Sequence, residues 1–328
     1  MSARVAVIGC GNAAKHIHLP LLRAADVEVS VFASRSRSSA EAARDVWGTG
    51  TVVDHWQDAV TRDDVDAVVV ATPNLAHREV TVAAAAARKH VLVDKPLACT
   101  TADVDAMIAA ARAGRVALVP FHNVRFAAPF VAAHDLVAGG RLGVVTGVRA
   151  AFGHGGPREN APGATWFFDR SVSGGGCLID LGVHIIDVVR YVTGSEIAAV
   201  ACVLNGVGDA GDVETDAQLL VRLVDGAIGT VHASWTSPAG SDQQLTVIGT
   251  RGTLHLDSRT PLTFFPVEGE RERVALPQQT SNPLLELLAS MRGEHPPSVT
   301  AADGRAAVAV VEAAYRSAEA GCALVAVR

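Results

Sequence analysis

At 328 residues, 49% apolar and 19% charged, the chain has enough apolar material for a large core and too little charge for a disordered one. Its length suggests about two domains, and a net charge of −6 argues against nucleic acid as the main partner, because phosphate binding needs a clustered positive field. No apolar run approaches the ~18 residues of a membrane span, and Met1-Ser2-Ala3-Arg4 leads at once into a strand-like Val5-Ala6-Val7-Ile8. That start leaves no room for a signal peptide. The five cysteines (Cys10, Cys99, Cys177, Cys202, Cys322) form no CxxC spacing, and their odd number fits reduced thiols in the cytoplasm.

Over the first 120 residues, short β-branched runs at 5–8, 27–32, 68–71, 90–93 and 116–120 are separated by Ala-rich helical stretches such as 80–88 and 101–113. This alternation predicts a parallel sheet covered on both faces, with strands such as Ala67-Val68-Val69-Val70-Ala71 buried on both sides. From about residue 121 the texture changes. Alternating segments at 143–152, 198–205, 217–224, 227–234, 244–248 and 253–256, with hairpin-like links at Asp225-Gly226 and Thr250-Arg251-Gly252, predict a large open, mainly antiparallel sheet. Helices are expected at 178–192 and 303–320, so this half is α+β. The expected domains are 1–120 and 121–328, joined by a hinge rather than a tether.

Gly9-Cys10-Gly11-Asn12-Ala13-Ala14 follows the first strand and opens a helix. It matches G-x-G-x-x-G/A, whose small residues allow a tight turn and let a pyrophosphate approach helix N–H groups; the other reading is an ordinary strand-to-helix turn. An NAD-selective site usually has a carboxylate after the second strand, whereas a 2′-phosphate is met by Arg. Here the chain has Ser34-Arg35-Ser36-Arg37 and no acid until Glu41, which favours NADP(H), with NAD(H) as the alternative.

Ala71-Thr72-Pro73-Asn74-Leu75-Ala76-His77 follows the strand at 67–70, and His90-Val91-Leu92-Val93-Asp94-Lys95-Pro96-Leu97 comes next. Gly174-Gly175-Gly176-Cys177-Leu178-Ile179-Asp180-Leu181-Gly182-Val183-His184 opens the main helix of the second half. With the glycine loop, and in this order, these segments closely resemble the Gfo/Idh/MocA family along nearly the whole chain. The resemblance implies a Rossmann domain followed by an α/β domain whose open sheet often mediates dimers or tetramers. It also implies NAD(P)-dependent oxidation or reduction of sugars, cyclitols and related alcohols. The family's Glu-Lys-Pro appears here as Asp94-Lys95-Pro96, which keeps the lysine and a carboxylate of shorter reach. By the same resemblance Thr72, Pro73, Asn74 and His77 lie beside the nicotinamide half of the cofactor.

Hydride transfer needs a group to take the hydroxyl proton and a donor to steady the developing alkoxide. Lys95, one of only three lysines, follows a parallel strand at the end where open α/β sheets bind ligands. Asp180 and His184 stand at i and i+4 on an otherwise apolar helix, so a carboxylate can orient an imidazole base, or contact substrate itself. Asp187 extends that face or is solvated. A metal is a competing reading of Asp180 and His184, but no third ligand falls at a recognisable spacing, so none is expected. The glycines 174–176 are expected to let backbone approach substrate or cofactor. A polyol pocket is read from His154, Arg158 and Asn160 beside Trp166, a tryptophan that also matches the family, with Asn123 and Arg125 facing the nicotinamide. Within the family, His at position 184 is more typical of inositol-dehydrogenase-like members than of those acting on nucleotide-linked keto sugars, which tend to carry Tyr. A non-catalytic regulator would have lost Lys95 or His184. A glycosidase with recycled NAD is a further alternative of the same fold.

Overall fold

The computed structural model describes residues 3–206, 211–237, 241–257 and 260–328. The chain divides into two compact units, Met1–His122 with Ser281–Arg305, and Asn123–Thr280 with Ala306–Arg328. This differs from a simple cut at residue 120, because 281–305 returns to the first unit.

Six strands form the first sheet: β1 (Arg4–Ile8), β2 (Glu28–Ala33), β3 (Thr51–Val53), β4 (Ala67–Val70), β5 (His90–Val93) and β6 (Leu118–Pro120). All pairs are parallel and the order is β3-β2-β1-β4-β5-β6, the doubly wound order of a Rossmann sheet. Every residue of β4 is buried, as its unbroken Val run requires. Helix starts are set locally: Ser36 caps Arg37–Trp47 through the Ser39 N–H, and Thr100 caps Thr101–Gly114 through the Asp103 N–H. The returning segment contributes the helix Pro283–Met291, capped by Asn282, which packs on β5 and β6. A side chain at Gly304 would collide with Leu97, 2.8 Å from its Cβ position, so that glycine lets the segment lie close.

The second unit is built on β7 (Val145–Gly153), β8 (Ile197–Asn205), β9 (Asp216–Leu223), β10 (Ile228–Ser234), β11 (Asp242–Gly249), β12 (Gly252–Asp257), β13 (Thr260–Pro266), β14 (Glu272–Arg273) and β15 (Val325–Ala326). Their order is β14-β13-β12-β11-β7-β10-β9-β8-β15. The sheet is mixed: β7 and β10 run parallel, and every other pair is antiparallel. Strict alternation of buried and exposed residues along β9 shows one face covered and one open. Ala128–Ala138 and Val183–Thr193 pack together, and the latter lies on β7 and β10. The stretch Arg170–Thr193 is long and apolar enough to cross a membrane, yet 83% of its most apolar window is buried inside this unit, as a core helix would be.

Arg125 and Asp187 correct the sequence reading. Both are buried and committed to each other: Asp187 is 1% exposed and takes a two-pronged ion pair from Arg125, whose Nε donates at 2.8 Å and whose guanidinium also covers the Tyr191 ring. The pair ties Val124–Phe126 to the core helix. Asp187→Ala leaves a buried guanidinium without its counter-charge and is expected to cost about 3–5 kcal/mol of stability, read as a lowered denaturation midpoint.

Candidate active site

In the first unit, β1 ends at Ile8 and the chain turns sharply at Gly9, whose φ is +90°. A Cβ there would lie 2.4 Å from the Ala71 carbonyl oxygen, so the close passage of two loops demands glycine. At Gly11 the reverse holds: nothing lies within 4 Å of a Cβ position. Gly11 and Asn12 are exposed and Ala13 half-buried, so the first amides of the following helix line an open cradle. That helix contains a π-turn at Ala14–His18, closed by the Leu19 N–H on the Ala14 carbonyl.

Ser34 directly follows β2, with an exposed Arg35 beside it. Arg37 is already committed: its guanidinium donates to Glu41 at 3.0 Å and to Asp54 at 2.5 Å. Beyond β4, Thr72 keeps a buried hydroxyl oxygen with no hydrogen-bond partner among the described residues, Pro73 precedes the short helix Asn74–Ala76, and Asn74 is buried at its start. His77 is 0% exposed; its ring nitrogens meet the Pro96 and Thr72 carbonyl oxygens at 2.8 and 2.9 Å. It therefore braces the two loops that present Thr72 and Lys95 rather than reaching a ligand itself. Burial lowers its proton affinity, partly offset by Asp94.

The shorter carboxylate of Asp94 is fully used. Oδ1 accepts from the Lys95 N–H at 2.8 Å, and Oδ2 lies 3.4 Å from the buried His18 Nε2. Burial opposes its ionisation, but the His18 contact and the charges of His18, Lys95 and His77 outweigh that and hold it well below the usual carboxylate range. Lys95 follows, half-buried.

In the second unit, the core helix begins as a π-turn at Leu178–Gly182 and continues as Val183–Thr193. Asp180 and His184 are each 8% exposed. Asp180 Oδ2 accepts from the Trp235 indole N–H at 2.9 Å, and the His184 ring lies against Phe152, 5.8 Å between centroids. Trp235 belongs to an aromatic group with Phe167 and Phe168. Trp166 stacks on Phe167 at 3.9 Å, Arg158 covers Phe168, and the Asn160 amide donates to the Gly156 carbonyl at 3.0 Å. His154 Nδ1 accepts the Gly156 N–H at 2.9 Å, which places the proton of the neutral ring on Nε2. Asn123 stands at the N-cap position of Val124–Phe126, without a side-chain capping bond, and is half-buried.

At Gly175 and Gly176 the chain itself comes close: a Cβ at Gly175 would lie 1.8 Å from the Tyr315 hydroxyl, and one at Gly176 1.9 Å from the Glu214 carbonyl oxygen. Two residues of this region, Trp235 and Glu214, escape sequence reasoning. Trp235 carried one signal, as one of four tryptophans and immediately after an expected strand.

Residues 3–122 match an oxidoreductase family with an NAD-binding Rossmann fold, and residues 130–255 match the GFO/IDH/MocA C-terminal domain. The chain belongs to the GFO/IDH/MocA oxidoreductase family. The 1,5-anhydro-D-fructose reductase of Ensifer adhaerens is 33% identical over 329 residues, 95% of this chain and 96% of that protein. Myo-inositol 2-dehydrogenase of Thermotoga maritima is 30% identical over 270 residues, 78% of each. GenD2 from gentamicin A biosynthesis, solved in complex with NAD, aligns with a TM-score of 0.87 at 31% identity, covering 100% of this chain and 97% of that one. The open space at Gly11, the exposed helix amides and the buried Thr72 hydroxyl fit the nicotinamide dinucleotide that membership implies.

Proposed function

We propose that this protein transfers hydride between a nicotinamide dinucleotide and a secondary hydroxyl, or the matching ketone, of a sugar or cyclitol. The observation that carries the reading is a buried polar pair, Asp180 fixed by Trp235 and His184 one turn on, at the start of a helix whose other buried charges, Asp187 and Arg190, are taken up in ion pairs. The sugar and inositol enzymes among its relatives support the substrate class.

Bound in the cradle at Gly9, Gly11, Asn12 and Ala13, with Ser34, Arg35, Thr72, Pro73, Asn74 and Asp94 around it, the dinucleotide supplies the hydride acceptor or donor. His184, whose Nδ1 is buried, takes the hydroxyl proton at Nε2 and returns it in reduction. Asp180 offers its carboxylate to the substrate from the same helix start, and the Lys95 ammonium holds the substrate oxygen as negative charge develops. His154, Asn160 and Asn123 donate to and accept from ring hydroxyls, and Trp166 covers an apolar sugar face. The test is a panel of cyclitols, aldoses and their keto forms with both cofactors, followed at the nicotinamide absorbance band. Cleavage of a glycoside with no net absorbance change, or no turnover at all, would overturn the reading.

NADP(H) is the preferred cofactor in this proposal. Ser34 places no negative charge where a 2′-phosphate would sit, and exposed Arg35 is the cation beside it, since Arg37 is held by Glu41 and Asp54. Wild type is expected to bind NADP(H) more tightly than NAD(H), and Ser34→Asp to reverse the order, measured as paired dissociation constants at fixed ionic strength. Tighter NAD(H) binding by wild type would assign Arg35 to stacking on adenine.

The setting we propose is cytoplasmic, consistent with all five cysteines being thiols rather than disulfides. Burial pushes the Cys10 and Cys99 thiols up to about 12 and about 11. A homodimer or homotetramer through the open face of the β7–β15 sheet is part of the same proposal, supported by exposed Val203, Leu220 and Ile228 on its strands.

A further inference from the structure

Glu214 lies just ahead of β9, is 6% exposed, and is drawn on by three donors at one oxygen. Oε1 accepts the Gly176 N–H at 2.9 Å, the Leu178 N–H at 3.0 Å and the Tyr315 hydroxyl at 2.9 Å. Its main-chain carbonyl accepts the Cys177 N–H at 3.0 Å. Three successive amides at the start of the Asp180 and His184 helix thus end on one residue. Cys177, at the N-cap, gives no side-chain cap, so nothing local does this work. A carboxylate at a helix N-terminus also meets the positive end of the peptide dipoles.

Tyr315 stands on the closing helix Ala301–Glu319. Burial first, and then the Glu214 carboxylate, hold its phenol well above the usual range, so it keeps its proton and donates. Gly175 and Gly176 are the small residues that admit Tyr315 and Glu214 to this distance. The other carboxylate oxygen, Oε2, is buried with no hydrogen-bond partner among the described residues, an unfavourable placement that the side chain accepts in order to aim Oε1 at the helix start.

We propose that Glu214 is a positioning residue for the reaction: with Tyr315 it pins the first amides of the core helix and so sets where the Asp180 carboxylate and the His184 imidazole stand. This rests on the assignment of those two groups to hydride-transfer chemistry. Glu214 touches neither cofactor nor substrate in this account, and acts only through the helix.

The test compares Glu214→Ala, Glu214→Gln and Tyr315→Phe by steady-state kinetics and by amide hydrogen exchange of residues 178–184. Glu214→Ala is expected to lower kcat at least ~10-fold per folded molecule, with KM and the dinucleotide Kd within ~3-fold, and to accelerate exchange at the helix start at least ~10-fold. Glu214→Gln keeps an oxygen acceptor for the same amides and is expected to hold kcat within ~3-fold of wild type, while Tyr315→Phe falls between the two. Unchanged exchange in Glu214→Ala, or unchanged kcat despite faster exchange, would overturn the proposal. So would Glu214→Gln as damaging as Glu214→Ala, or a loss confined to dinucleotide binding. An inactive wild type overturns the oxidoreductase reading instead, and the exchange comparison then still decides whether Glu214 holds the helix.

Discussion

Lys95→Ala and His184→Ala are each expected to lower turnover by at least ~10²-fold while the dinucleotide dissociation constant changes little, as for lost proton-transfer and charge-stabilising groups. The two variants should differ in their pH dependence. Without His184 the profile loses the limb set by the base. Without Lys95 that limb remains and the maximum falls, because the remaining base still titrates while the alkoxide loses its counter-charge. Asp94 sharpens the Lys95 half of the test. It bonds the Lys95 N–H through its own side chain, so the backbone at Lys95 stays fixed when the ammonium is removed. A Lys95→Ala variant with near-normal turnover would therefore remove that group from the chemistry, with no appeal to a displaced loop.

The second large effect is expected at the glycine loop, where two neighbouring glycines should fail in different ways. Gly11→Val introduces a branched side chain into space that is open in the folded chain. Folding should be normal, and dinucleotide affinity should fall at least ~10-fold, because the branched side chain occupies the room the pyrophosphate needs. Gly9→Ala meets the Ala71 carbonyl at 2.4 Å and a backbone angle of +90°, so it should lower the denaturation midpoint before any question of binding arises. Titration with dinucleotide and thermal unfolding on the same two variants separate the roles. Wild-type affinity in Gly11→Val would mean that the loop is not the phosphate site.

The parallel half was the easier to read from sequence. Strands buried on both faces show as unbroken Val-rich runs, and β1, β4 and β5 all announce themselves this way. Thr51–Val53 is three residues long and only half-buried, too short to leave a period. The return of 281–305 to the first unit was hidden because membership of a domain is decided by packing, and this stretch has no compositional break to mark it. In the second half the parallel pairing of β7 with β10 was equally invisible. The alternation of each strand fixes which face is buried and says nothing of its neighbour.

The candidate site divides along the same line. Residues carried by contiguous motifs (Gly9, Gly11, Thr72, Lys95, Asp180, His184) could be singled out because their neighbours in sequence are their neighbours in the motif. Trp235 meets Asp180 across 55 positions and Tyr315 meets Glu214 across 101, so no local pattern pairs them. The reading of Arg125 and Asp187 failed for a related reason. A charged residue next to a motif looks available until its distant partner is known, and here each is the other's partner.

The turn at Leu178–Gly182 accommodates one residue more than a regular helical turn, with the Val183 N–H reaching back to the Leu178 carbonyl. In length, such a turn equals a regular helical turn with one residue added. Closing it by deletion would rotate everything ahead of the gap by about 100° against everything after it. The apolar core around this helix could absorb such a change of register by exchanging one aliphatic side chain for another, but Asp180 and His184 lie on opposite sides of the last residues of that turn. Removing one position between 178 and 182 would thus leave a core able to repack and change the arrangement of the polar pair.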